Sequence, residues 1–589
     1  MSASERPDNV DGLAPRGAPA RGSGDRRLRR PPRRGADDER PAPAPAPAGS
    51  GRPGTARRPR GGPAPDPARD LAFEALRAIT EQDAYANLLL PGLLRRARLD
   101  ARDAAFATGL VYGTLRARGT LDAVLTACLD RTVDQLDPPA RDVLRLGAYQ
   151  LLVLETPSHA GVSTSVDLAR RRIGPAVSRL VNAVLRRVAE RGMAAWIVQV
   201  APDRDVDPIG HLAIAGWHPA WIVSAFRDAL DGSLTETAAA LAADNIPPRI
   251  TLVARPGRIT RAELLDEVND AVPAADGHRQ PDPDEAILPE GEDLDPDPSL
   301  PDSPGPATGA PGRWSPLAVV IRRGDPGGLA AVRRGRAGVQ DEGSQLVALA
   351  VAGAPTAGPD TGWWLDACAG PGGKAVVLAG LAAARGARLL AVDLQPHRAR
   401  LVAGALRTSR YRPHALATEL ASVADATEPA DSTVTAPALP VLDPVTLVAD
   451  STHPAWADGV FDRVLVDAPC SGLGSLRRRP EARWRRQPGD LPGLRAIQTA
   501  LLVAALRAVR PGGIVGYATC SPHPVETSVV VADALRTAQR QYGLAIERMR
   551  TPDTMPSGLD LPAERSDAQL WPHRHGTDAM YLALLRRPA

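Results

Sequence analysis

Short apolar runs that alternate with helical stretches constrain the fold of residues 363–521 more than any other feature of this chain. The runs are WWLDACAG, ARLLAVDL, VTLVAD, DRVLVDAP and GGIVGYATCS, and between them apolar residues recur every three or four positions. Strands that alternate with helices in this way predict a doubly wound parallel sheet, which binds its ligands at the carboxyl ends of the strands. We therefore expect one sheet edge to collect the residues that end these runs, namely Asp366, Asp393, Asp450, Asp467, Cys470 and Cys520.

The loop after the first predicted strand carries an unusual residue, Lys374. The chain has 71 basic residues, and all of them except Lys374 are arginine. An ammonium group is compact, whereas a guanidinium is a planar fork, and a cation in the first turn of a helix opposes the helix dipole. Either a lysine survives here by chance, or arginine does not fit at this position.

The same loop, DACAGPGGK, has the form of a nucleotide-binding turn between a strand and a helix. Glycines let the backbone approach a ligand, and Asp393, about twenty positions further on, can hold ribose hydroxyls. A phosphate-binding P-loop requires Ser or Thr after the lysine, but residue 375 is Ala. The dinucleotide fingerprint matches only loosely, as Gly370, Gly372 and Ala375. S-adenosylmethionine (SAM) is the third candidate.

Two cysteines that follow neighbouring predicted strands favour SAM. Cys470 lies in VDAPCSG and Cys520 in YATCSPHP. Four cysteines in 589 residues fit a reducing cytoplasm, which argues against a disulfide, and a metal site would require more ligands than His523. Plain packing and covalent catalysis remain. We therefore expect no metal.

Cytosine gives a chemical reason for two thiols and a carboxylate beside a methyl donor. Carbon 5 of the ring is too weak a nucleophile to accept a methyl group. Addition of a thiolate at carbon 6 activates carbon 5, and a carboxyl group at ring nitrogen 3 assists the addition. The base has to leave its stack to reach such a site.

The rest of the chain divides by composition. Residues 1–65 contain 14 arginines and 7 acids with little to bury, which predicts a disordered tail that is either an RNA-attracting arm or merely solvated. Residues 66–200 have helical periodicity, and residues 201–340 form a linker or pre-catalytic subdomain with an acidic, disordered insert at 275–312. A second biased stretch covers 411–440. No apolar run reaches the length of a membrane span. Candidate helix caps are Asp70, Asp100, Asp137 and Ser163.

Four motifs together resemble the Sun/RsmB (Fmu) family of RNA cytosine-5 methyltransferases: LDACAGPGGK, VDAPCSG, YATCS and HGTDAMY. Residues 339–350, VQDEGSQLVALA, match the segment before the family's catalytic core, and residues 66–200 are similar to the NusB-type RNA-binding domain. The resemblance implies an α/β fold, with a Rossmann-like class I SAM methyltransferase domain at 341–589 behind an all-α NusB-like domain and a disordered tail.

The resemblance also implies roles for individual residues. Cys520 would be the nucleophile, Cys470 would help to release the product, and Asp467 would contact the target base and lie beside SAM. Apart from the resemblance, we expect the ammonium of Lys374 to contact the cofactor or the carboxylates around the flipped cytosine, where a guanidinium would be cramped. Glu526 is followed here by Thr527 instead of the usual Asn, and HGTD is followed by Ala579, Met580 and Tyr581 instead of Gly-Phe-Phe. SAM would be bound by Cys368, Ala369, Gly370, Pro371, Gly372, Gly373, Lys374, Asp393, Asp450 and Asp467.

An arginine-rich segment after the first cysteine motif is a candidate RNA contact, because it combines phosphate-neutralising cations with a stacking ring. A solvated basic loop is the alternative. The segment contains Arg477, Arg478, Arg479, Arg483, Trp484, Arg485 and Arg486.

We therefore expect a cytoplasmic, SAM-dependent enzyme that makes 5-methylcytosine in RNA, with 16S rRNA as the expected substrate. Transfer RNA is the closest alternative substrate. A non-catalytic RNA-binding factor and a nicotinamide-dependent oxidoreductase are the alternatives from other classes.

Overall fold

The computed structural model describes residues 66–82, 84–270, 309–322, 325–407 and 443–589. The predicted tail at 1–65 and the biased stretch at 411–440 lie outside these ranges. Most of the predicted acidic insert also lies outside them. Its last four residues, 309–312, are described, and three of them form a strand, so the prediction of disorder is wrong there.

The first part of the described chain is a bundle of α-helices with one apolar core. Leu110, Val143 and Leu185 are fully buried within it, and Cys128 packs in the same core. The helices are α1 (Pro67–Glu81), α2 (Ala86–Ala97), α3 (Ala101–Ala127), α4 (Pro138–Leu152), α5 (Ser158–Arg172), α6 (Pro175–Val188) and α7 (Met193–Val200).

The predicted caps of these helices are partly correct. Asp100 caps α3 by accepting a hydrogen bond from the Asp103 N–H. Asp70 lies inside α1, whose cap is Asp66, and Ser163 lies inside α5, so both predictions are wrong. Asp137 precedes α4 but makes no capping bond with its side chain. Pro67, at the first position of α1, fixes where that helix starts.

A small antiparallel sheet and three further helices connect the bundle to the rest of the chain. Leu473 and Leu476, which follow a strand of the large sheet, share a core with Ile222 and Leu241 of two of these helices. The helices are α8 (Pro208–Ala215), α9 (Ala220–Ala229) and α10 (Leu234–Asn245). The sheet consists of β1 (Ile250–Ala254), β2 (Gly309–Pro311), β3 (Ala318–Ile321) and β4 (Ala337–Val339), in the order β2-β3-β1-β4. Two more helices belong to this part: α11 (Arg261–Asp270) lies beside the sheet, and α12 (Ala330–Arg333) precedes β4.

The large sheet has a parallel centre, as the alternating runs predict. Its strands are β5 (Trp363–Asp366), β6 (Arg388–Asp393), β7 (Val445–Val448), β8 (Phe461–Asp467), β9 (Val509–Thr519), β10 (Glu547–Arg548), β11 (Ala568–Gln569) and β12 (Tyr581–Arg586). The order is β10-β12-β9-β8-β5-β6-β7; β5 to β9 are parallel, whereas β12 runs antiparallel to β9 and pairs with β10 and β11.

Helices cover both faces of this sheet, which buries its central strands on both sides and explains their continuous apolar runs. The first face packs α13 (Glu342–Gly353), α14 (Gly373–Ala384) and α15 (Pro396–Arg407), and the second packs α17 (Leu491–Ala508) and α18 (Ser528–Tyr542). The short helices α16 (Ala482–Arg485) and α19 (Pro572–His575) lie in loops. The doubly wound sheet is confirmed. None of the described helices is both long and apolar enough to cross a membrane.

Candidate active site

The two cysteines that follow β8 and β9 meet at the carboxyl edge of the sheet. The strands are parallel neighbours, with Asp467 opposite Ala518. Cys470 lies in the loop after β8 (residues 468–476, the PC loop) and Cys520 begins the loop after β9 (residues 520–527, the TC loop). Their Sγ atoms are 3.3 Å apart. Neither cysteine forms a disulfide, and both side chains are partly exposed, so a small ring can approach the thiols.

Lys374 reaches this edge from the first turn of α14. Its Nζ donates a hydrogen bond to Asp467 Oδ2 at 2.8 Å, and its side chain is 12% exposed. Burial disfavours the charge, but the Asp467 carboxylate outweighs burial, so the pKa of Lys374 is raised and the ammonium stays charged.

The two thiols differ in their tendency to ionise. The hydrogen bond from Cys470 lowers the pKa of Cys520 against the effect of burial, and the nearby charges of Lys374 and Arg479 add to the lowering. The same hydrogen bond and burial raise the pKa of Cys470 well above its usual value. Cys520 is therefore the thiol of the pair that ionises more readily, and Cys470 is the one that tends to keep its proton.

The glycine-rich loop Cys368–Lys374 lies between β5 and α14 and contacts the end of β6. Gly372 has a positive φ of 114°, and the Gly370 N–H donates to Asp393 Oδ2 at 3.0 Å. A Cβ atom at Gly370 would lie 2.3 Å from that oxygen, so the loop requires glycine there. Burial raises the pKa of Cys368 well above its usual value, which makes this cysteine a poor nucleophile.

Carboxylates outnumber cations around this loop. Burial, with the charge of Asp467, raises the pKa of Asp366 to about 7. Asp393 is buried beside the Arg398 guanidinium at 3.6 Å. This excess of carboxylates suits a cofactor that carries positive charge, as the sulfonium and ammonium groups of SAM do.

Asp450 completes the acidic edge beside the loop. It follows β7, the neighbour of β6, and its side chain is 45% exposed. Hydrogen bonds from the Thr452 hydroxyl and N–H lower the pKa of Asp450, so it is a carboxylate available to hydroxyl or amino groups. Asp393 and Asp450 thus lie at one edge with Lys374 and Asp467, where the sequence predicts them.

The arginine-rich segment 477–486 is largely not a surface for RNA, and the prediction is corrected for most of its members. Arg483 is fully buried; it donates to the carbonyls of Trp217 and Asp244 at 3.0 and 2.8 Å. The Trp484 indole N–H donates to the Leu115 carbonyl of α3 at 2.6 Å. These side chains bind the helical bundle and α8–α10, because buried backbone carbonyls accept their donors.

Two further arginines of the segment also bind within the protein. Arg485 donates to the carbonyls of Ile79 and Ala84. Arg486 donates to the Ser471 carbonyl at 3.2 Å, which connects the segment to the PC loop.

Arg477 and Arg478 form ion pairs with the acids of two distant motifs. Arg477 is buried and pairs with Asp578 at 3.1 Å and with Asp341 at 3.4 Å, and Arg478 pairs with the same two acids. Arg479 differs from its neighbours, because it is exposed and close enough to Cys520 to lower the pKa of that thiol. Of the predicted RNA contacts, Arg479 keeps the position that the prediction requires.

Sequence reasoning missed the role of Glu526 as a connection between the two cysteine loops. Glu526 is fully buried and accepts hydrogen bonds from Ser471, Ser521 and Gln498. The sequence signal is a glutamate six residues after Cys520, where the chain turns from strand to helix. Among the described residues, no group of three His, Cys, Asp or Glu side chains is placed to hold a metal ion.

Comparison with known families agrees with this geometry. The profile of the family described as 16S rRNA methyltransferase RsmB/F matches residues 356–586, which contain the large sheet and both cysteine loops. The profile of the NusB family matches residues 66–190, which contain α1 to α6.

Individual relatives cover nearly the whole described chain. MT1451 of Mycobacterium tuberculosis, a methyltransferase by name, is 46% identical over 522 residues, which are 89% of this chain and 97% of the relative. Ribosomal RNA small subunit methyltransferase B of Pseudomonas putida is 30% identical over 524 residues, 88% of this chain and 98% of the relative.

The fold also has a solved counterpart. The crystal structure of PH0851 superposes with a TM-score of 0.64 at 19% identity and covers 89% of this chain and 99% of its own. At that identity the match concerns the fold alone. The profile and the relatives carry the family assignment: the chain belongs to the RsmB/F family of SAM-dependent RNA methyltransferases and has a NusB-like helical part before its methyltransferase sheet.

Proposed function

We propose that this enzyme makes 5-methylcytosine in 16S rRNA, with Cys520 as the nucleophile and Cys470 as the residue that releases the product. The observation that carries the proposal is the pair of thiols 3.3 Å apart beside Asp467 and Lys374. Direct methyl transfer to an oxygen or nitrogen atom needs no covalent intermediate, so such a reaction would leave both thiols without a function.

The residues divide the chemistry between them. The Cys520 thiolate adds to carbon 6 of the cytosine, while Asp467 contacts the ring near nitrogen 3. Carbon 5 then carries the electron density that forms the new carbon–carbon bond. Loss of the carbon 5 proton and elimination of Cys520 restore the ring, and Cys470 assists that release.

Residues of the glycine-rich loop and two strand ends would hold the cofactor. Cys368–Lys374 provide the backbone turn, Asp393 the ribose contact, and Asp450 a contact near the adenine. SAM supplies the electrophilic methyl group when it is bound. Lys374 holds Asp467 in place and adds to the lowering of the pKa of Cys520, so one side chain prepares both groups.

Contact with the RNA substrate is assigned to Arg479 and to the helical part of the chain. Arg479 is exposed near Cys520, where its guanidinium can neutralise a phosphate that flanks the extruded cytidine. The NusB-like match of residues 66–190 supports a second RNA contact there. A ribosomal RNA substrate is supported by the name of the Pseudomonas putida relative, ribosomal RNA small subunit methyltransferase B.

Bisulfite sequencing of total RNA tests this function. Cells that lack the gene should lose one or more protected cytosines in 16S rRNA, and the wild-type gene should restore them while Cys520→Ala should not. If the protected cytosines are lost from tRNA instead, the substrate is tRNA and not 16S rRNA. Unchanged protection in every RNA, or restoration by Cys520→Ala, would refute the proposal.

A further inference from the structure

A buried carboxylate joins the two cysteine loops. Glu526 Oε1 accepts from the Ser471 N–H at 2.8 Å and from Gln498 Nε2 at 3.0 Å. Its Oε2 accepts from the Ser521 hydroxyl at 2.6 Å and from the Ser471 hydroxyl. Ser471 follows Cys470, and Ser521 follows Cys520. The residue after each cysteine is therefore hydrogen-bonded to the same carboxylate.

The carboxylate is held by neutral donors. Glu526 is fully buried, and its hydrogen bonds come from a backbone N–H, two serine hydroxyls and a glutamine amide. Four hydrogen bonds replace water around it, which is how a protein retains a buried charge. The Gln498 amide also donates to the Pro469 carbonyl at 2.9 Å, which ties α17 to the PC loop.

This charge acts unequally on the two thiols. Besides the hydrogen bond to Cys520 and burial, the negative charge of Glu526 contributes to raising the pKa of Cys470. The hydrogen bond from Cys470 lowers the pKa of Cys520, and Lys374 and Arg479 add to this against burial and the charge of Asp467. Glu526 therefore disfavours a thiolate at Cys470, while the two cations favour one at Cys520.

We propose that Glu526 is a positioning residue of the thiol pair, whose carboxylate sets the spacing of the PC and TC loops and keeps the negative charge of the pair on Cys520. This inference rests on the proposed function for the assignment of nucleophile and releasing residue. It extends that function by giving one buried side chain the task of distinguishing the two cysteines.

Alkylation of the RNA-free enzyme tests the charge assignment. Iodoacetamide reacts with thiolates, so peptide mass spectrometry at early times gives the ratio of modification at Cys520 to that at Cys470. Glu526→Gln removes the charge at almost the same size, and we expect the ratio to fall about tenfold, because a charge that disfavours the Cys470 thiolate is gone. Glu564→Gln, the same change at an exposed glutamate, should keep the wild-type ratio.

Two variants that keep the buried charge test the positioning. Glu526→Asp retains the carboxylate on a shorter side chain, and Ser521→Ala removes one of its four donors. We expect both to keep the alkylation ratio and to lower turnover, with accumulation of a denaturant-resistant protein–RNA adduct because release is slowed. Thermal unfolding checks that each variant is folded.

The outcomes separate the inference from the function beneath it. An unchanged ratio in Glu526→Gln would overturn the charge assignment, and wild-type turnover in both Glu526→Asp and Ser521→Ala would overturn the positioning. Methyl transfer by Cys520→Ala would instead refute the proposed function, whatever the alkylation ratio.

Discussion

At the scale of single residues, Lys374 has the most constrained setting in the site. Its ammonium lies 2.8 Å from Asp467 in a place that is 12% exposed, between a glycine-rich loop and the thiol pair. A guanidinium there would need room for a planar fork and acceptors for five N–H groups. This setting explains why a chain that otherwise uses arginine has lysine at this position.

Substitution of Lys374 should affect both the rate and its pH dependence. We expect Lys374→Arg to slow single-turnover methyl transfer at least about tenfold, or about 1.4 kcal/mol in the barrier. Lys374→Met removes a cation that lowers the pKa of Cys520, so the acid limb of the pH–rate profile should move to higher pH. Arg540→Lys, on the exposed face of α18, is the control. Normal turnover by Lys374→Arg would make the lone lysine an accident.

At the scale of elements, the PC loop is fixed by backbone contacts on both sides. The Gly474 N–H donates to the Cys520 carbonyl at 2.9 Å, and the Gly474 carbonyl accepts from the Ala579 N–H at 2.8 Å. The HGTDAMY motif therefore supports the loop that carries Cys470. The family departures at 579–581 lie in this support, and Tyr581 pairs with Thr519, the residue before Cys520.

A methyl group at Gly474 should disturb this loop. Its Cβ would lie 2.1 Å from the Ala579 carbonyl oxygen, a backbone atom that has to move. We expect Gly474→Ala to lower the free energy of unfolding by about 1–3 kcal/mol and to reduce turnover. Gly489→Ala is the control, since no atom lies within 4 Å of a Cβ there. Denaturant unfolding measures both, and equal stabilities would contradict this packing.

The strands of the large sheet and the meeting of the two cysteines were predictable from sequence, because strand periodicity and parallel order place the residues at one edge. The contacts of segment 477–486 were not. Its arginines reach Asp341, Asp578 and the Asp244 carbonyl, which are 100 or more residues away in sequence. A local run of arginines indicates positive charge but does not identify the acceptors. In sequence, arginines that bind acceptors inside the protein therefore look the same as arginines that bind nucleic acid.

At the scale of the whole molecule, segment 477–486 joins the helical bundle to the catalytic edge. It begins after the PC loop and contains Arg479, which is near Cys520, and Trp484, which packs against Gly119 of α3. The helical bundle, which matches the NusB family, is therefore connected by direct side-chain contacts to the segment that follows the PC loop.

Loss of the Trp484 indole should weaken the contact between segment 477–486 and α3. We expect Trp484→Ala to lower the free energy of unfolding by about 2–4 kcal/mol, since it removes a ring from the contact with Gly119 and a hydrogen bond to the Leu115 carbonyl. Trp484→Phe keeps a ring without the N–H donor, so its free energy of unfolding should lie between those of the wild type and Trp484→Ala. Urea unfolding measures the series, and equal stability of Trp484→Ala and wild type would contradict the structural role of the segment.

Covalent capture of RNA tests the roles of Cys520 and Cys470. Cys470→Ala, incubated with SAM and substrate RNA, should accumulate a denaturant-resistant adduct, and peptide mass spectrometry should find the nucleotide on Cys520. Cys520→Ala should form neither adduct nor methylated product. An adduct on Cys470 in the Cys520→Ala enzyme, or methyl transfer by that enzyme, would contradict the account.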